Sequence, residues 1–209
     1  MKIEIWSDYV CPFCYIGKRR LEEAIANMRM EDEIEIVYKA YELDPNAPST
    51  SNRSMAEVLV EKYKMSLKEA TIMTDNIKEQ AKAAGLTYDF DIMTRANTFQ
   101  AHRLAKFAEK EGLGGKMTER LLRAYFAEGE KIGAFETLVK LAGEVGLSKE
   151  RTQEMLRSDA FIEDIKEDVQ EAGQIGVQGV PFFVINRKYA ISGAQPVETF
   201  IQALQKASQ

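Results

Sequence analysis

Cysteine and histidine are scarce: the 209 residues contain two cysteines, Cys11 and Cys14, and one histidine, His102. Both cysteines lie in one four-residue stretch, which excludes a structural disulfide elsewhere in the monomer. Structural zinc takes four ligands, usually from two such pairs, so this chain is a poor metal binder and no metal is expected. No apolar run is long enough to cross a bilayer, which argues against a membrane role. Basic residues are not in excess: 28 Lys and Arg against 33 Asp and Glu leave a net charge of −5, and no electrostatic case for nucleic acid arises. No period repeats, so a solenoid is not expected. The charged start, with Lys2, Glu4 and Asp8, lacks the uninterrupted apolar centre of a secretory signal. The expectation is a cytoplasmic protein, in a compartment where thiols are mostly kept reduced.

What is present is ample core material, 45% hydrophobic, and one chemically loaded stretch, Cys11-Pro12-Phe13-Cys14. It follows a short apolar run, Ile3, Ile5 and Trp6, and opens a helical segment from Tyr15 to about Met28. A cysteine at a helix start sits beside unpaired backbone N–H groups and the positive end of the helix dipole, both of which stabilise a thiolate. Proline at the first helical position loses no useful N–H. Cys11 is therefore the candidate nucleophile, and Cys14, one turn further in, the resolving thiol. The blander alternative is a pair of small buried residues, since free cysteine is commonly buried.

Along the chain, Ile3–Ser7 reads as a strand, and Leu21, Ile25 and Met28 supply the buried stripe of the following helix. Residues 34–40 read as a second strand, parallel to the first through a crossover. A Pro- and Ser-rich loop follows, then a long helical region. Ser54–Glu57 and Ser66–Glu69 match the capping box. Gly85-Leu86, Gly112-Leu113, Gly146-Leu147 and Gly176-Val177 match a glycine helix stop followed by an apolar contact. Phe182–Ile185 reads as a buried strand, with Tyr189–Ser192 returning antiparallel and a last helix after Pro196. The fold class is thus α/β: a thioredoxin fold with a large all-helical insertion between its second and third strands. Residues 1–50 and 176–209 form the thioredoxin part, and residues 51–175 the insertion.

Four segments carry a family likeness: Ser7–Tyr15, Asn97–Leu104, Gly176–Val184 and Gly193–Pro196. They resemble the DsbA-like branch of the thioredoxin superfamily, in particular FrnE-like cytoplasmic thiol–disulfide oxidoreductases. The kappa-class glutathione transferases and 2-hydroxychromene-2-carboxylate isomerases are related to these. The resemblance implies a cis Val180–Pro181 bond facing the dithiol, and it adds Pro181 to the catalytic set. A plain strand-entry proline is the alternative. It implies further that Pro12, Phe13, Gly179, Val180 and Gly193 line a substrate site, with Gly193 leaving room for the substrate. Asn97 and His102 join that set, His102 either as a proton carrier along a groove between the domains or as a packed helix residue. Asp8 stands between a proton relay for Cys14 and a loop-solvation or capping role, and Trp6 is read as core, with groove wall the alternative.

The expected activity is thiol–disulfide exchange on protein or small-molecule thiols. No tightly bound cofactor is expected, though glutathione could serve as co-substrate. DsbA-type proteins carry histidine where Phe13 stands. Phe13 adds no positive charge to hold a thiolate, so a weaker oxidant is expected. A kappa-type glutathione-dependent transferase or isomerase and a redox-sensing binding protein are the alternatives. The former typically use serine where Cys11 stands.

Overall fold

The computed structural model describes residues 1–209. Contacts within the chain divide it into two units, Met1–Leu43 with Ile165–Gln209, and Asp44–Asp164.

The first unit is built on four strands, β1 (Lys2–Ser7), β2 (Glu35–Ala40), β3 (Phe182–Ile185) and β4 (Tyr189–Ser192). They lie in the order β2-β1-β3-β4. β1 and β2 are parallel, Ser7 opposite Ala40, and the β1–β3 and β3–β4 pairs are antiparallel. The helix between β1 and β2, α1 (Pro12–Met28), is the expected crossover, and it begins at the proline of the dithiol stretch.

Alternation along the strands gives the sheet two different faces. On one, Ile3, Ile5, Phe183 and Ile185 pack with Leu21 and Ile25 of α1. Phe200 and Leu204 of the last helix, α9 (Val197–Ala207), complete that core. On the other face, Trp6 and Val184 pack with Ala172 of α8 (Ile162–Gln174) and with Val177. Trp6 is core, as read.

Ion pairs fasten α8 to this second face. Lys39 Nζ lies 2.9 Å from Asp168 Oδ1 and 3.2 Å from Glu171 Oε2. Asp168 Oδ2 accepts the Ala40 N–H at 2.8 Å, and its carbonyl accepts the Trp6 indole N–H at 2.9 Å. Arg187, in the β3–β4 turn, bridges Glu171 to the buried Glu4 of β1. These contacts are why α8, placed by the sequence reading in the insertion of residues 51–175, makes its contacts from Ile165 onward with the sheet.

The second unit is helical: α2 (Met55–Tyr63), α3 (Leu67–Ala83), α4 (Phe99–Lys110), α5 (Gly114–Phe126), α6 (Phe135–Glu144) and α7 (Lys149–Arg157). Both capping boxes form, with the Ser54 and Ser66 N–H groups donating to Glu57 and Glu69 at 2.8 and 2.7 Å. The glycine stops also form. The N–H groups of Leu86, Leu113, Leu147 and Val177 reach back five residues to carbonyls at 2.7–3.0 Å. Arg103, buried on α4, donates to the carbonyls of Met155 (2.9 Å), Ser158 (2.5 Å) and Ala160 (2.7 Å), so one guanidinium closes the C-terminal end of α7.

Candidate active site

β1 runs straight into the dithiol. After Ser7 the chain turns, the Cys11 N–H donating to the Asp8 carbonyl at 3.1 Å. Cys11 is thereby held in extended geometry (φ −88°, ψ 112°) as the N-cap of α1, with Pro12 next to it. Its carbonyl accepts the Cys14 N–H at 3.0 Å. The Cys11 side chain makes no capping bond, which leaves its sulfur available for chemistry at the positive end of the helix. Cys14 lies one turn in, on the buried side of α1, and both thiols are free.

The two sulfurs have different surroundings. Cys11 Sγ donates to the Val180 carbonyl at 3.4 Å. Cys14 Sγ accepts the Asp8 N–H at 3.4 Å. Burial, and next to it the neighbouring Cys11, push the Cys14 thiol well up, while Ser7 and the Asp8 N–H pull it the other way. The net direction is upward, so Cys14 holds its proton at neutral pH. Asp8 is a junction in this turn: backbone to both cysteines, and Oδ2 to the Leu43 N–H at 2.7 Å. That bond makes the Asp8 side chain a tie to the chain beyond β2.

The Val180–Pro181 bond is cis and lies against the dithiol through the Val180 carbonyl. Pro181 is buried, Val180 and Gly179 are half-buried. The Val180 N–H makes no backbone hydrogen bond within the chain. The Gly193 N–H donates to the Pro181 carbonyl at 2.8 Å, and Gly193 itself has φ +78°, a conformation glycine adopts without strain. Phe13 stands exposed beside Cys11, with Pro12 half-covered. The structure thus assembles Cys11, Cys14, Pro12, Phe13, Gly179, Val180, Pro181 and Gly193 within one unit.

Asn97 and His102 belong to the other unit. Asn97 Nδ2 donates to the Pro45 carbonyl at 3.0 Å and its Oδ1 accepts the Phe99 N–H at 3.0 Å, which starts α4 and fixes a loop. His102 is buried in the first turns of α4, its N–H bonded to the Thr98 carbonyl. Across the chain, no group of three or more His, Cys, Asp or Glu side chains is placed to hold a metal ion, and no helix is long and apolar enough to cross a membrane.

One residue of the site escaped the sequence reading. Gly17, on α1, lets the helix approach the Pro181 loop: a Cβ there would lie 3.1 Å from Pro181 Cγ and 3.1 Å from Phe183 Cζ. The available signal was a glycine inside a helix, which costs about 1 kcal/mol against alanine and so implies a packing reason.

With this geometry in view, comparison with known proteins is specific. A family model described as DSBA-like thioredoxin domain matches residues 2–205. The probable DsbA oxidoreductase SCO1869 from Streptomyces coelicolor is 38% identical, with a TM-score of 0.95 over all of this chain and 90% of its own. A 2-hydroxychromene-2-carboxylate isomerase is similar in fold at 16% identity, with a TM-score of 0.74 over all of this chain and 96% of its own. The cytosolic disulfide reductase DsbM from Pseudomonas aeruginosa, solved with GSH, shares the fold at 16% identity and a TM-score of 0.68, over 99% of this chain and 98% of its own.

Proposed function

We propose a function from one premise: the chain belongs to the DsbA-like thioredoxin domain family. The reading is a thiol–disulfide oxidoreductase of the cytoplasm, with Cys11 as nucleophile, Cys14 as resolving thiol and the Val180–Pro181 loop as the substrate seat. The observation that carries it is the division of labour between the sulfurs. Cys11 stands at the N-cap of a helix with no side-chain capping bond and its sulfur on the Val180 carbonyl next to the cis-proline, while Cys14, one turn further in, is kept protonated by burial.

In the reducing direction, the Cys11 thiolate attacks one sulfur of a substrate disulfide. A Cys11–substrate disulfide forms and the other substrate sulfur leaves as a thiolate. Cys14, losing its proton to solvent, then attacks Cys11 Sγ. The Cys11–Cys14 bond forms and the second substrate thiolate leaves, so the substrate gains two electrons and the dithiol loses them. The reverse sequence oxidises a dithiol. An extended substrate next to Cys11 can accept the uncommitted Val180 N–H, as in strand addition, with the exposed Phe13 and the space over Gly179 and Gly193 receiving its side chains. Glutathione is a candidate co-substrate, a reading supported by the DsbM fold relative solved with GSH.

The test is the reduction potential of the Cys11–Cys14 pair in glutathione redox buffers. Phe13 leads us to expect a value near the thioredoxin range, about −270 mV, against about −120 mV for DsbA. A DsbA-like value would overturn the role given to Phe13, and failure to form the disulfide would overturn the oxidoreductase reading. Cys14→Ser should trap glutathione on Cys11 as a persistent mixed disulfide. A kappa-type transferase or isomerase, which the isomerase fold likeness keeps in view, would keep its turnover in that variant.

A further inference from the structure

The Pro181 loop is tied to the chain between β4 and α9, where the Gly193 N–H donates to the Pro181 carbonyl at 2.8 Å. None of residues 193–196 is buried, and Gly193, Ala194 and Gln195 offer little apolar surface, so burial does little to fix where this segment sits. Its own bonds are short in range. The Gln195 N–H donates to the Gly193 carbonyl at 3.0 Å, and Gln195 Nε2 to the Ser192 carbonyl at 2.8 Å. The long-range hold comes from α1. Arg20 Nη1 donates to the Ala194 carbonyl at 2.5 Å, across 174 positions of chain. Gly17, one turn earlier on the same face of α1, meets the same segment, since a Cβ there would lie 3.5 Å from Ala194 Cα.

We propose that Arg20 is a positioning residue for the substrate seat, closing a hydrogen-bonded circuit through which α1 holds both Cys11 and the Val180–Pro181 loop. The circuit begins at Cys11, the N-cap of α1, whose Sγ donates to the Val180 carbonyl at 3.4 Å. It passes along Val180–Pro181, crosses from the Pro181 carbonyl to Gly193, and returns from Ala194 to α1 at Arg20. This rests on the oxidoreductase reading, in which the Val180 N–H pairs with the backbone of an extended substrate beside Cys11. Both ends of the circuit lie on one helix, so a rigid element sets the separation between the nucleophile and that N–H. Without Arg20 the segment keeps its bond to Pro181 but loses its tie to α1, and the Val180 N–H shifts relative to Cys11. A misplacement of about 1 Å can cost about a hundredfold where a reaction relies on orientation. The exchange between the sulfurs does not pass through Arg20. A peptide disulfide therefore gains alignment from the circuit, and a disulfide with no peptide backbone does not.

Two substrates separate this role from a plain loss of fold. The reduced full chain is oxidised by a model peptide disulfide and by hydroxyethyl disulfide, comparing wild type, Arg20→Ala and Arg20→Lys. With each substrate the Cys11–Cys14 bond forms and the substrate disulfide leaves as two thiols, so both report the same two-electron exchange. The readout is the ratio of second-order rate constants, peptide over hydroxyethyl disulfide. An arginine that only supports the fold would lower both rates together and leave that ratio where it was. Arg20→Ala should lower the ratio about tenfold, the size of one hydrogen bond to a charged group. Arg20→Lys keeps a cationic donor for the one carbonyl and should recover most of the loss. Both variants should fold, since Ala194 is half-buried and its carbonyl can turn to water. A ratio in Arg20→Ala within twofold of wild type overturns the proposal. A wild-type chain that forms no Cys11–Cys14 disulfide with either substrate overturns the oxidoreductase reading and the role of Arg20 with it. That outcome is distinct from a reactive wild type whose ratio Arg20→Ala leaves unchanged.

Discussion

Cys11 and Cys14 are separated by two residues and face opposite electrostatic tasks. The spacing and the helix start made the place of Cys11 at the N-cap of α1 legible, because capping position and dipole are properties of the local chain. The state of Cys14 was not legible, since its largest cause is burial, which is a property of the folded chain and not of the motif. That state has a consequence for stability. A thiol pushed up by burial and by Cys11 keeps its proton in the folded protein to a pH at which the unfolded chain has already released it. Its contribution is fully present below the ordinary thiol value of about 8.5 and is lost as pH rises through the higher folded value. The reduced protein should therefore lose Tm between roughly pH 8 and 10 more steeply than Cys14→Ala, by scanning calorimetry. Parallel curves would mean that Cys14 is not held as the thiol. Asp8, which the sequence left between relay and cap, has its side chain on the Leu43 N–H, and the bond to Leu43 becomes visible only once β2 has been folded beside β1.

At the scale of elements, local signals and tertiary demands can be set against each other in two glycines. Gly143 lies inside α6 with nothing within 4 Å of where a Cβ would stand, so Gly143→Ala should stabilise by about 0.5–1 kcal/mol through helix propensity alone. Gly17 lies inside α1 with Pro181 and Phe183 both at 3.1 Å. There the same gain of about 1 kcal/mol meets an overpacking cost of about 1–3 kcal/mol. We expect Gly17→Ala to destabilise by about 1 kcal/mol in urea unfolding, opposite in sign to Gly143→Ala. A Gly17→Ala protein as stable as wild type would show that the Pro181 loop retreats freely. The helix starts at Ser54 and Ser66 and the glycine stops were legible because each is made by residues within one or two turns of one another. α8 was recognisable as a helix, but its allegiance to the sheet was not. Its buried anchor, Asp168, reads in sequence as one more surface acid among many.

For the molecule as a whole, the two units are held by different buried charges, and each offers a separate handle. Lys39→Met leaves the nearly buried Asp168 carboxylate without its cation, which costs about 3–5 kcal/mol when one partner of a buried pair is removed. Arg103→Met leaves the carbonyls of Met155, Ser158 and Ala160 unmet, at about 1–3 kcal/mol for each buried group stranded. Trp6 is the single tryptophan and lies in the sheet unit, so its fluorescence follows that unit, whereas far-UV dichroism is weighted towards the helical one. Lys39→Met should lower the fluorescence midpoint more than the dichroism midpoint, and Arg103→Met the reverse. Coincident shifts in both probes would show that the units unfold as one.

By itself the sequence determined the place of the Cys11–Cys14 stretch at a helix start, the order of strands and helices, the capped ends, the α/β class and the family likeness. All of these follow from residue types and spacings acting over a few ångströms of adjacent chain. Tertiary structure alone decided what surrounds Cys14, why Gly17 must lack a side chain, and which unit receives α8. The last two depend on groups far apart in the chain, as Trp6 and Asp168 are at 162 positions' separation. A hydrogen bond across such a span is set by the path of the whole backbone, and no local pattern of residues encodes its direction.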